Sequence, residues 1–400
     1  MPDPFKDKKI VLGVSGGIAA YKAVELLRSL AKSGGRVRVI MTRNAQEFVG
    51  PLTFEALSGH PVWTRMFGRQ GDTTFRHIAW AEDTDAVVIA PATANIIGKI
   101  AHGIADDPLS TFVLTVGAPI LVCPSMNVHM YEKHVVQDNI KRLEQAGIKV
   151  LRPETGALAC GHEGPGRLPD VEAIAEELRS LLSSRNLAGE RILVTAGPTQ
   201  EPIDPIRFIS NPSSGRMGYA VARVARRRGA EVLLISGPTI LAGPQGVRVI
   251  RVRTAEEMFN AVMDHAKQST ILIKAAAVSD WRPAGLFEHK VKKKEMEQNC
   301  RLEQTRDILK ALGENKKDQI LVGFAAETRD LQENARAKLT AKNLDFIVAN
   351  LIGRTDSGFG SDTNQVSLFY KDGRTEDLPL MDKEDLADIL LDRVLEIKRT

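Results

Sequence analysis

Residues capable of chemistry cluster in this sequence where apolar runs stop and small or polar residues begin. In the second half, Ile192 to Ala196 runs into a stretch from Gly197 to Gly218 that holds four prolines, Asp204, Arg207, Asn211 and the turn Ser213-Ser214-Gly215. The prolines stiffen the connection. Ser213, Ser214 and Gly215 leave backbone N–H groups at the positive end of a helix expected near Arg216, a place suited to phosphate or carboxylate. In the first half, Gly13, Gly16 and Gly17 let the backbone approach a ligand phosphate, and Ser15 offers a hydroxyl. Ala90-Pro91-Ala92-Thr93-Ala94-Asn95 and Cys123-Pro124-Ser125-Met126-Asn127 each present an asparagine, which can hold a carboxylate or amide without adding charge. Each feature has a plainer reading: tight turns with nothing bound, and asparagines that cap helices. Taken singly, His77 reads as a packed histidine. Cys160, within the glycine-rich Ala159 to Leu168, reads either as a plain loop residue or as part of a mobile lid.

The surrounding pattern says what must position these groups. Lys9 to Val14 reads as a buried strand, followed by a helix with Ala20, Ala23, Val24, Leu27, Leu30 and Ala31 at helical spacing, a stop at Gly34-Gly35 and a second strand, Val37 to Met41. The same design returns at Arg191 to Thr195, with Met217, Ala220, Val221, Val224 and Ala225 on the helix, a stop at Gly229 and a strand from Glu231 to Ile235. Further strands are expected at Ala86 to Ala90, Pro119 to Val122 and Ile148 to Leu151, then at Val247 to Val252, Thr270 to Ala275, Ile320 to Phe324 and Phe346 to Ala349. A late hairpin is expected around Asp372-Gly373. The fold class is therefore α/β, two successive doubly wound Rossmann-like domains with mostly parallel sheets, the second with a late β-hairpin. The linker character of Ser183 to Gly189 divides the chain into domains 1–186 and 187–400. Ligands of such sheets bind beyond the carboxyl ends of the strands.

Composition narrows the classes. The chain has 400 residues, 43% of them hydrophobic and 26% charged, which suits a soluble globular protein with sizeable cores. A net charge of +4 is too weak and dispersed to argue for nucleic acid. The first apolar run, Ile10 to Val14, is too brief for a signal peptide or membrane span, so a cytoplasmic protein is expected. Cys123, Cys160 and Cys300 show no metal-type spacing, so no disulfide framework or zinc site is expected and one thiol is free for chemistry. Neither G-x-G-x-x-G nor a P-loop is present, and Thr42-Arg43-Asn44 stands where a dinucleotide site wants an acid for the ribose. That points to a mononucleotide in the first half and weakens a nicotinamide oxidoreductase reading. A non-catalytic flavin or nucleotide sensor is the remaining rival.

From Gly13 to about Leu168 the motifs resemble the flavin-dependent cysteine decarboxylases, specifically the phosphopantothenoylcysteine decarboxylase half of bifunctional coenzyme A biosynthesis proteins. The resemblance implies FMN lined by Ser15, Thr42 and the turn Pro91, Ala92, Thr93 and Asn95. It makes His77 the active-site histidine, Asn127 the asparagine that grips the substrate carboxylate, and Cys160 the thiol acid of the lid. Ser125 departs from the alanine common at its position. The chemistry explains the flavin: an N-acylated cysteine has no electron sink for decarboxylation until the carbon bearing sulfur is oxidised to a thioaldehyde beta to the carboxylate.

From Ile192 to Asp362 the sequence resembles the phosphopantothenate–cysteine ligase half of the same proteins, through T-A-G-P-T, Asp204-Pro205, R-x-I-S-N and S-S-G-x-M-G. Later segments agree: Ala275-Ala276-Ala277-Val278-Ser279-Asp280, the basic loop from His289 through Lys290, Lys292 and Lys293, and Gly323-Phe324-Ala325-Ala326-Glu327. The resemblance implies an acyl-cytidylate made from 4′-phosphopantothenate and CTP with Mg²⁺, which the amine of cysteine then attacks. Asn211 would stabilise that intermediate, with Arg207 and Lys290 as electrostatic partners and Ser213, Ser214 and Gly215 as candidates for the substrate phosphate. Ala275, Ala276, Asp280, Lys292, Lys293, Phe324, Lys338 and Lys342 are implied around CTP, as are Arg306, Asp307, Ile308 and Leu309, where the family's N-P-D-I is altered. Metal ligands are not identified, and Lys274 has no role in this reading. The resemblance also implies a homo-oligomer, trimers of decarboxylase halves and dimers of ligase halves, up to a dodecamer.

Overall fold

The computed structural model describes residues 3–67, 76–157, 161, 163–290, 301–327, 329–351 and 361–399. The chain folds as two compact units, Pro2–Ser183 and Ser184–Thr400.

In the first unit β1 (Lys9–Val14), β2 (Arg36–Met41), β3 (Ala86–Ala92), β4 (Ile120–Pro124) and β5 (Lys149–Val150) form a parallel sheet in the order β2-β1-β3-β4-β5. Its helices are α1 (Ala20–Lys32), α2 (Pro51–Ser58), α3 (Arg76–Glu82), α4 (Ala94–Ala101), α5 (Pro108–Thr115), α6 (Val128–Tyr131), α7 (His134–Gln145) and α8 (Val171–Leu182). Both faces of β1 are covered, so its residues are apolar almost without interruption. Ile10, Leu12 and Val14 pack with Leu26, Leu27 and Leu30 of α1, while Val11 faces Ile96, Ile97 and Phe112. Each such side chain contributes about 1.5–3 kcal/mol by leaving water. On α1 the spacing assigned a buried place to Ala31, which is exposed, and Leu26 is buried instead. Leu26 joins the cluster of Ile10, Leu12 and Val14 that the helix buries against the sheet, and Ala31 lies outside it. A hairpin of β6 (Glu154–Ala157) and β7 (Glu163–Arg167) follows β5.

The second unit is built on β8 (Arg191–Ala196), with a small hairpin β9 (Gln200–Pro202) and β10 (Phe208–Ser210) inserted before α9 (Arg216–Arg227). Then come β11 (Glu231–Ser236), β12 (Arg248–Arg251), α10 (Ala255–Ala266), β13 (Ile271–Lys274), β14 (Trp281–Pro283), β15 (Leu302–Gln304), α11 (Ile308–Glu314), β16 (Ile320–Glu327), α12 (Leu331–Ala341) and β17 (Phe346–Leu351). The chain closes with β18 (Thr363–Tyr370), β19 (Thr375–Asp382) and α13 (Lys383–Arg399). The large sheet runs β12-β11-β8-β13-β16-β17-β18-β19, parallel through β17 and antiparallel in the last two pairings. The order in which the chain visits its strands thus reverses between β8 and β13, where a crevice opens beyond the strand ends.

Candidate functional sites

In the first unit a cavity of about 760 Å³ lies beyond β1 and β3. Ser15, Gly16, Gly17, Thr42, Thr93, Asn95 and Asn127 line it, as the sequence suggested, together with Ser125 and Met126. Gly13, Pro91 and Ala92 do not line it. A Cβ on Gly13 would come within 2.6 Å of Leu109 Cδ1, so this glycine is needed for packing. Ala92 is buried and paired with Pro124. Pro91 acts through its carbonyl, which accepts from Ser15 Oγ at 2.7 Å and from Ser15 N at 3.3 Å.

Ser15 lines the cavity and also has a structural task. Its hydroxyl accepts from Thr93 N at 2.9 Å, and the residue is 1% exposed, so the group ties the ends of β1 and β3 together. Ser15→Ala strands the Thr93 N–H and leaves the Pro91 carbonyl only its longer bond from Ser15 N, at a cost of about 1–3 kcal/mol. The expected result is a lower unfolding midpoint and weaker flavin retention, measured by thermal melting and by free flavin after gel filtration. Unchanged melting together with lost binding would instead make the hydroxyl a direct ligand contact.

The floor of the cavity is held from the other side. Asn127 caps α6 by accepting from His129 N at 2.9 Å, and Met126 N donates to Gly166 O at 3.0 Å. Gly166 has φ +153°, and a Cβ there would lie 2.2 Å from Met126 O, so only glycine lets β7 approach this closely. The expected lid is thereby seated on the asparagine segment at its base. Cys160 falls outside the described residues. Cys123 is buried and its thiol is pushed far up by burial, which removes it as a candidate for chemistry.

His77 lies on α3, half-buried, and is not among the residues lining the cavity. Among the lining residues that sequence reasoning did not assign to the site are Lys22, Lys99, Asp106 and Asp107. Lys99 is clamped by Asp106 at 2.6 Å and Asp107 at 2.8 Å. Asp107 also caps α5 from before Pro108, a pairing readable in the sequence.

In the second unit the predicted residues gather around the ends of β8, β13 and β16. Gly215 opens α9 with φ +79°, and a Cβ there would meet Thr239 Cγ2 at 2.8 Å. Ser213 and Ser214 lie half-buried beside it, and the Ser213 hydroxyl accepts from Gly215 N at 3.3 Å. The Asn211 amide donates to the carbonyls of Ala277 at 3.1 Å and Val278 at 3.2 Å, fastening the β8 loop to the β13 loop. Arg207 is bound to the fully buried Asp204, with Nε to Oδ2 at 2.8 Å. That guanidinium and the N–H groups of Ile206 and Arg207 hold the Asp204 carboxyl well below the usual carboxylate range. Arg207 is therefore committed first to holding its own loop.

Ala275 and Ala276 sit beside Thr195, whose Oγ1 accepts from Ala276 N at 3.2 Å. Asp280 is exposed, while Phe324 is half-buried on β16. Lys290 is exposed, with its loop tied down by Phe287 N donating to Ile203 O at 3.1 Å. Lys292 and Lys293 fall outside the described residues. Lys338 pairs with Glu327 at 2.6 Å and Lys342 with Asp307 at 2.9 Å, so a phosphate that reaches either cation shares it with that acid. Arg306 stacks on the Phe259 ring, 3.5 Å from its centroid, and bonds Glu256, while Ile308 and Leu309 are core residues that have only backbone to offer a ligand. Asp307 caps α11 through Lys310 N. The altered N-P-D-I segment is thus built into the fold by its side chains.

Two family profiles divide the chain: "Flavoprotein" matches residues 2–183 and "DNA/pantothenate metabolism flavoprotein C-terminal domain" matches 187–397. The coenzyme A biosynthesis bifunctional protein CoaBC of Bacillus subtilis (strain 168) is 48% identical over 399 residues, covering 99% of this chain and 98% of that protein. The chain belongs to this family of bifunctional coenzyme A biosynthesis proteins. The CoaBC protein of Escherichia coli (strain K12) is 43% identical over 393 residues, with 97% of each chain covered. A crystal structure of the C-terminal domain of a CoaBC protein is 43% identical, covers 55% of this chain and all of that one, and has a TM-score of 0.46. As a member of the CoaBC family the chain is a bifunctional enzyme, with a decarboxylase in its flavoprotein half and a ligase in the other. Among the described residues no helix is long and apolar enough to cross a membrane, and no group of three or more His, Cys, Asp or Glu could hold a metal.

Proposed function

We propose that residues 187–400 join 4′-phosphopantothenate to cysteine through an acyl-cytidylate made from CTP with Mg²⁺, and that residues 1–186 decarboxylate the product to 4′-phosphopantetheine with FMN. The observation that carries the decarboxylase assignment is the cavity at the β1/β3 reversal of a 2-1-3-4-5 sheet, the place where FMN binds in flavodoxin-like folds. Its volume falls within the roughly 300–1,000 Å³ usual for cofactor sites. The residues present fit FMN: Gly16 and Gly17 offer backbone for a phosphate, Thr42, Thr93 and Asn95 line the walls, and Asn127 faces the same space. Bound FMN supplies a hydride acceptor and donor. Asn127 holds the substrate carboxylate, His77 handles the proton or steadies charge, and Cys160 returns a proton.

Because His77 stands outside the cavity of its own copy, it acts from a neighbouring copy. Support comes from Ile18 and Tyr21, apolar and exposed at 63% and 54% while lining the cavity. We assign the protein to trimers of decarboxylase halves and dimers of ligase halves, in the cytoplasm. In the ligase half Asn211 orders the activated intermediate, Lys290 and Arg207 balance its charge, and Asp280, Phe324, Lys338 and Lys342 surround CTP.

The test is direct. Purified protein should be yellow and, given 4′-phosphopantothenate, cysteine, CTP and Mg²⁺, should release pyrophosphate and carbon dioxide one for one. A colourless folded preparation that FMN cannot reconstitute would reject the first assignment. Equal rates with ATP would reject the choice of CTP.

A further inference from the structure

Lys274 ends β13, in register with Thr195 on β8 and Gly323 on β16. Side chains alternate along a strand, so Lys274 shares the face of Leu272, which packs with Met258, Leu309 and Leu339 under α10, α11 and α12. Its neighbours across the sheet are a threonine and a glycine, so a long side chain can rise between them. The residue is half-buried, and its electrostatic neighbours are Lys342, Asp307, Asp280 and Lys338. Two of those cations already own a carboxylate, Lys342 in Asp307 and Lys338 in Glu327. A polyanion can draw on either only by sharing it with that acid. Among the described residues no carboxylate or carbonyl takes the Lys274 ammonium, so it is the cation of this cluster that an incoming anion can use without displacing a partner.

We propose that Lys274 is a further nucleotide-binding residue of the ligase half, its ammonium taking a phosphate oxygen of the triphosphate at the β8/β13 crevice. The proposal rests on the nucleotide reading above. A lysine at the end of a central strand, close to two more lysines and beside the reversal point, has little purpose in the sheet itself. It cannot add to the core, and it brings a half-buried charge that weakens the fold unless something compensates it. A phosphate does so with a charge-assisted hydrogen bond.

A second consequence concerns pH. Burial, then the charge of Lys342, pushes the Lys274 ammonium down to about 8 from its ordinary 10.5, with Lys338 acting the same way and Asp307 and Asp280 against it. A bound polyanion favours the charged form and moves the value back up. The charged form is present below pH 8, where affinity is full. Above pH 8 binding must take up a proton, and affinity falls by up to about tenfold per pH unit until the bound value is passed.

The experiment is calorimetric titration of the full chain with CTP and with CMP, in Mg²⁺, for the wild type and Lys274→Met, at pH 7, 8 and 9. The expected result is a Kd for CTP at least tenfold higher in K274M at pH 7 with a much smaller change for CMP. In the wild type the CTP affinity should weaken between pH 8 and 9, a loss that K274M lacks. Equal CTP affinity in the two proteins, or equal losses for CTP and CMP, would overturn the proposal. Should K274M fail to fold, the wild-type profile decides: a CTP affinity flat from pH 7 to 9 overturns it. Absence of CTP binding by the wild type at every pH would overturn the nucleotide reading itself, a result distinct from wild-type binding that Lys274 does not affect.

Discussion

His77→Asn is expected to abolish carbon dioxide release while CTP- and cysteine-dependent pyrophosphate formation continues unchanged. Positioned proton transfer contributes about 10²–10⁴-fold, so decarboxylation should fall at least a hundredfold. The ligation residues belong to a different compact unit, with its own core, and should not register the change. Because His77 on α3 does not line the cavity of its own copy, the deficit should be partly repaired in mixed oligomers. Mixing His77→Asn with Asn127→Ala subunits places an intact histidine and an intact asparagine at some shared sites. Carbon dioxide release in the mixture should then exceed that of either variant alone. Loss of both activities in a folded, yellow protein would show that the sites are not independent, and full activity in H77N would return His77 to the packed role.

Asn211→Asp and Lys290→Gln should do the reverse, and for different reasons. The Asn211 amide donates to the carbonyls of Ala277 and Val278. An aspartate cannot donate, and its charge faces two carbonyl oxygens, so the loops that meet at the reversal of the sheet must part. The expected loss of pyrophosphate release is about 10²–10³-fold, the usual effect of removing one preorganised polar contact, with a stability cost of about 1–3 kcal/mol. Lys290 is exposed and its removal leaves the core untouched. K290Q should therefore lose a comparable rate without a shift in melting temperature. Pyrophosphate assays beside thermal melts separate the two cases. A K290Q enzyme that ligates normally would remove Lys290 from the chemistry.

Much of the scaffold was legible because strands buried on both faces need unbroken apolar runs. Lys9–Val14, Arg191–Ala196 and Phe346–Leu351 each announce themselves that way, and Gly34 and Gly229 stop helices at positive φ of 88° and 92°. The small hairpins were not visible. Glu154–Ala157 with Glu163–Arg167, Gln200–Pro202 with Phe208–Ser210, and Trp281–Pro283 with Leu302–Gln304 are short and half-buried at best over most of their length, so they need no strong apolar pattern.

The sequence alone determined that two parallel sheets follow one another and that their strand ends carry the small and polar residues able to meet ligands, since periodicity and turn chemistry are local properties. Only the tertiary structure decided what each polar group is free to do. Ser15 ties strand ends together, Arg306 covers Phe259, and Lys338 and Lys342 are held by Glu327 and Asp307, while among the described residues no acid forms an ion pair with Lys274. Those outcomes depend on which partner lies within hydrogen-bonding reach, and residues tens of positions apart are brought to that distance only by the folded chain.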